Sequence, residues 1–128
     1  MSEKSQPIGP SKVVVVSGGS RGLGLAIVED ILATGAKVAA FARTLTPELK
    51  TLASAHPDHL LAASVDITDL AAMNGFLKDA EVRLGPIDGL VNNAAVGQDS
   101  LHVHTSPQHI AAIIETNLTA PLLLARAV

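Results

Sequence analysis

The chain has 128 residues, 48% of them hydrophobic, and carries a formal net charge of −3. That length holds one domain, and the apolar content is enough to build a packed core. Scattered basic residues, only two phenylalanines and no tryptophan or tyrosine exclude a nucleic-acid footprint or stacking platform, and the lack of cysteine excludes disulfides and thiol chemistry.

The N-terminal stretch 1–11 is polar, contains Pro7, Gly9 and Pro10, and reads as a flexible tail rather than a signal segment. The apolar runs are far too short to span a bilayer, so no membrane partner and a cytoplasmic location are expected. Lys12 to Val16 is a β-branched strand. It ends in Ser17-Gly18-Gly19-Ser20-Arg21-Gly22-Leu23-Gly24, after which Leu23, Ala26, Ile27 and Ile31 predict a helical face ending at Gly35. Lys37 to Ala42 predicts the second strand. Thr46-Pro47-Glu48 starts a short helix carrying Leu49, Leu52 and Ala53, with a capping hydroxyl and a proline suited to its first turn. Leu60 to Val65 predicts the third strand, and Thr68 or Asp69 caps a helix with Leu70, Met73, Leu77, Ala80 and Leu84 on its apolar face. Gly85-Pro86 ends that helix, Ile87 to Val91 predicts the fourth strand, and Ser106-Pro107 starts a last helix running to Val128. This alternation predicts an α/β class: a Rossmann-type doubly wound parallel sheet over residues 12–128, truncated after about four strands.

The glycine-rich turn between first strand and first helix marks the ligand class. Amides at a helix N-terminus, approached closely through Gly18, Gly22 and Gly24, suit a dinucleotide pyrophosphate. No Gly-Lys-Ser/Thr follows, so a P-loop is excluded. Arg43, just past the second strand, stands where an NAD enzyme places a carboxylate for the adenine ribose. A guanidinium there, with Arg21 in the glycine turn, suits a 2′-phosphate and favours NADP(H) over NAD(H). Asp66, followed by Ile67, reads either as a turn or capping carboxylate or as an acceptor for the adenine amino group. Asn92 and Asn93 end the fourth strand, on the sheet edge where ligands bind, with small residues after them leaving room for a sugar. Asn117 loses the normal partner of its carbonyl because Pro121 follows it by four positions, which predicts a kink with a polar lining. His56, His59, His102, His104 and His109 form no convincing ligand set, so no metal site is expected, and no serine sits on a nucleophile elbow.

Taken together, the glycine turn from Ser17 to Gly24, Asp66-Ile67, Asn92-Asn93-Ala94-Ala95 and Thr116-Asn117-Leu118 resemble the amino-terminal half of the short-chain dehydrogenase/reductase family, most of all its 3-oxoacyl-[acyl-carrier-protein] reductases. The resemblance implies that Gly18, Gly19, Ser20, Arg21, Gly22, Leu23 and Gly24 hold the pyrophosphate and 2′-phosphate. It further implies that Arg43 meets the 2′-phosphate, Asp66 and Ile67 the adenine, and Asn93 with Ala94 the ribose, and that Asn117 is the catalytic asparagine. Ser17 and Ala95 replace the family's usual threonine and glycine. The larger departure is the missing Tyr-x-x-x-Lys pair, because the chain has no tyrosine to protonate a carbonyl. The expectation is therefore the NADP(H)-binding portion of a ketoreductase, inactive alone, with a carbonyl substrate taken only when the missing half is supplied. The alternatives are a non-catalytic cofactor-binding or interaction module, one half of a split enzyme, or a fragment of a longer one; a homo- or hetero-oligomer is expected.

Overall fold

The computed structural model of the chain describes residues 12–93 and Ala125. In chain order the elements are β1 (Val13–Ser17), α1 (Gly22–Ala33), β2 (Lys37–Ala42), α2 (Pro47–Ala55), β3 (Leu60–Ser64), α3 (Leu70–Leu84) and β4 (Gly89–Val91). The strands form a parallel sheet in the order β3-β2-β1-β4.

All five residues of β1 are buried, as a central parallel strand covered on both faces requires. Its side chains alternate between two cores. Val13 and Val15 pack with Ala39, Phe41 and the inner face of α3, whereas Val14 and Val16 pack with Val38, Val28 and Ile31 of α1, and Leu49 of α2. The chain thus winds outward from β1 through β2 to β3, with α1 and α2 on one face. It then crosses by α3 on the other face and returns to the opposite side of β1. This reversal is what right-handed crossovers produce in a doubly wound sheet, and it leaves a crevice between the carboxyl ends of β1 and β4.

Local chemistry fixes the element ends. Thr46 caps α2 by accepting from the Leu49 amide at 3.3 Å, and Asp69 caps α3 by accepting from Ala72 at 3.0 Å. Lys37 Nζ donates to the last α3 carbonyl, Leu84 O, at 3.3 Å, a cation at the negative helix end. Phe41 and Phe76 meet edge to face with centroids 5.4 Å apart.

Three details correct the sequence expectations. Leu23 is 71% exposed, and the buried face of α1 is Gly24, Val28 and Ile31, because close packing of Gly24 against the glycine turn sets the helix rotation. Leu70 sits in the first turn of α3 and is exposed, while Phe76 joins the buried face. β4 begins at Gly89 rather than Ile87, because Asp88 makes a clamp on Val13: its amide donates to Val13 O at 2.8 Å and its carboxylate accepts from Val13 N at 2.9 Å. The N-terminal tail, Ala94, Ala95, His102, His104, His109 and the expected last helix with Asn117 and Pro121 lie outside the described residues. Among the described residues, no helix is long and apolar enough to cross a membrane.

Candidate functional site

The crevice is stitched together from both of its sides. Ser17 Oγ, wholly buried, donates to Val91 O at 3.3 Å and accepts from the Asn93 amide at 2.9 Å. Asn93 Nδ2 donates to Gly18 O at 3.1 Å, which ties the end of β4 to the glycine turn. Asn92, beside it, is exposed. Gly18 and Gly19 donate their amides to Phe41 O at 2.8 and 3.3 Å. These two residues therefore shape the turn, and the amides aimed outward come from further along.

Those amides belong to the start of α1. Arg21 is its N-cap, in extended backbone, and makes no side-chain capping bond; Leu25 N donates to Arg21 O at 3.2 Å as the helix begins. Helix geometry leaves the preceding first-turn N–H groups, those of Gly22, Leu23 and Gly24, without intrahelical acceptors. No acidic residue stands in the first turn, so nothing there repels an anion. Gly22 has φ +57°, and a Cβ built on it meets no atom within 4 Å, so the turn opens onto space at that point. Leu23 contributes through this backbone position rather than through its exposed side chain.

Ser20 is 3% exposed, and its hydroxyl is engaged within the protein. Ser20 Oγ accepts from the Thr46 amide at 2.7 Å and lies 3.3 Å from Thr46 Oγ1, while Thr46 Oγ1 donates to Ser20 O. The glycine turn is thereby joined to the loop that follows β2, and Arg21 and Arg43 are carried to one corner of the sheet edge. The sequence made Thr46 legible as a helix cap, but no local signal announces its second partner.

Arg43 and Asp66 lie at the ends of neighbouring strands, with Arg43 Nε 4.0 Å from Asp66 Oδ2 and side chains 70% and 46% exposed. Asp66 Oδ1 accepts from Thr68 Oγ1 at 2.7 Å and from Thr68 N at 2.9 Å. The turn role weighed for this carboxylate is therefore realised, with Oδ2 left toward Arg43. Ile67 is buried in the α3-side core, so its side chain packs there and only its backbone is available to a ligand. Thr68, through its hydroxyl and then its amide, holds the Asp66 carboxyl below the ordinary value of 3.8, partly opposed by burial, with Arg43 the smallest of the contributions that lower it. A depressed folded value means that the charge contributes stability above the ordinary value and loses it as pH falls through the folded one. Asp66→Asn is expected to lower the unfolding free energy from urea denaturation at neutral pH by less than about 1 kcal/mol, given solvent screening at this exposed site. That gap closes in acid; a gap that persists there would show that the charge is not its origin.

A family model described as short chain dehydrogenase matches residues 12–128. The chain belongs to the short-chain dehydrogenase family. Among similar members, it is 37% identical over 121 residues to 3-oxoacyl-[acyl-carrier-protein] reductase FabG of Escherichia coli (strain K12), covering 91% of this chain and 48% of that protein. A short-chain dehydrogenase from Streptomyces avermitilis superposes with TM-score 0.82 at 35% identity, over 99% of this chain and 44% of that one. An NADPH-bound carbonyl reductase from chicken fatty liver superposes with TM-score 0.81 at 30% identity, over 91% and 49%. The chain thus spans less than half the length of each of these three short-chain dehydrogenase relatives. The sheet order and glycine turn described above are the Rossmann architecture of that family.

Proposed function

We propose that residues 12–128 form the NADP(H)-binding portion of a cytoplasmic short-chain ketoreductase, with a 3-oxoacyl thioester as the candidate substrate. The supporting observation is the uncapped start of α1 at the β1/β4 crevice, with Arg21 and Arg43 at the corner beside it. Its first-turn amides suit a pyrophosphate, and two guanidinium groups with no acidic residue in that turn suit a 2′-phosphate. The residues present therefore fit the adenosine end of the cofactor, which when bound supplies a hydride. In this reading Asn93 orders the crevice for the ribose, with Ala94 beside it, Asp66 borders the adenine, and Asn117 is the catalytic asparagine. Ketone reduction also needs a proton donor, and these 128 residues include no tyrosine. The donor and the carbonyl pocket are therefore contributed from outside them, by a further segment or by a partner chain in a homo- or hetero-oligomer.

The absence of tyrosine equally favours a second reading, a non-catalytic cofactor-binding module. Fluorescence titration with NADPH and NADH tests the part common to both. The expected result is saturable binding with NADPH preferred at least about 10-fold, the worth of one charge-assisted contact. Failure to bind either nucleotide overturns the proposal, and equal affinities overturn its NADP(H) assignment. Ketone turnover by the purified chain alone would overturn the assignment of the acid to another segment or chain.

A further inference from the structure

We infer that Ser20 and Thr46 form a positioning latch that sets cofactor selectivity, an inference that rests on the NADP(H) reading above. Arg21 directly follows Ser20, and Arg43 lies three residues before Thr46. Each arginine side chain is long and exposed, so where its charge is held depends on where its backbone is anchored. The latch supplies that anchor for both. Thr46 N donates to Ser20 Oγ at 2.7 Å, Ser20 Oγ approaches Thr46 Oγ1 at 3.3 Å, and Thr46 Oγ1 returns a bond to Ser20 O.

Both hydroxyls of this pair donate and accept, and Thr46 Oγ1 also accepts from Leu49 N at the head of α2. A fully satisfied network at a residue 3% exposed is rigid, since opening it would strand buried polar groups. The loop bearing Arg43 is short and held at both ends. Ala42 lies in β2, with its carbonyl accepting from Val65 N at 3.0 Å, and Thr46 is latched to Ser20. Arg43 O additionally accepts from Ser64 Oγ at 2.7 Å. The backbone segments that carry the two guanidinium groups are thus kept in register when a doubly charged phosphate arrives, and such preorganisation raises affinity by cutting the cost of ordering. NADH has no 2′-phosphate and draws nothing from that register.

The test measures NADPH and NADH affinities in parallel for the full chain and for Ser20→Ala, Thr46→Val and Thr46→Ser, with melting temperatures alongside. Ser20→Ala leaves the α2 cap intact, and Thr46→Val breaks the latch from the other side. The expected result is an NADPH-to-NADH preference reduced about 5- to 10-fold in both, with NADH affinity within about twofold of wild type and the preference restored in Thr46→Ser. Loss of general stability alone lowers both affinities together and leaves their ratio unchanged, so an unchanged ratio in either variant overturns the latch. A wild-type chain without NADPH preference overturns the cofactor reading itself and is recognised before any variant is measured.

Discussion

Gly24→Ala is expected to unfold the site. A Cβ at this position would stand 1.9 Å from Gly18 O, 2.8 Å from Gly18 C and 2.6 Å from Asn93 Nδ2. The first two contacts are backbone atoms of a turn whose amide is already bonded to Phe41 O, and the third belongs to the side chain that ties β4 to that turn. None can yield without separating α1 from β1 or breaking the Asn93 bridge. Overpacking of this kind costs about 3 kcal/mol or more, a large share of the stability of a small domain. Urea denaturation followed by circular dichroism checks it, with nucleotide binding lost in parallel. A variant with wild-type stability would mean that α1 does not approach the turn as described. Gly22→Ala is the contrast, because its φ of +57° imposes strain of about 1 to 2 kcal/mol while a methyl group there meets no atom within 4 Å.

Arg43→Ala is expected to weaken NADPH binding about 30-fold, equivalent to about 2 kcal/mol for a charge-assisted contact, and to leave NADH within about twofold. The asymmetry is the point, since Arg43 is 70% exposed and has little to do with holding the fold. Asp66 lies 4.0 Å from its Nε and competes for the same guanidinium, so a phosphate dianion must bind more strongly than one half-solvated carboxylate. Arg43→Lys keeps the charge but not the planar fork and is expected to recover only part of the affinity. The NADPH advantage of the wild type should also shrink as salt is raised, because the contact is exposed. Isothermal titration with both nucleotides checks these outcomes, and equal losses for NADPH and NADH would remove Arg43 from the 2′-phosphate.

Much of this architecture is encoded locally. The valine run of β1, the glycine turn, the capping Thr46 and Asp69 and the terminators Gly35 and Gly85 specify where elements begin and end, since each acts on backbone within a few residues. They also specify the α/β class, because a strand buried on both faces needs helices above and below it. What they leave open is which groups meet across the sheet. Leu23 and Val28 are equally apolar as letters, and only the approach of Gly24 to Gly18 decides that Val28 turns inward and Leu23 outward. Ser20 carries its hydroxyl wherever it lies, and the packing of α2 beside the glycine turn brings Thr46 to it. Asp66 and Arg43 become neighbours only because β2 and β3 pair in register, Ala42 with Ser64. Periodicity and capping are properties of a short stretch of chain, whereas hydrogen-bond partners far apart in sequence are chosen by the assembled sheet.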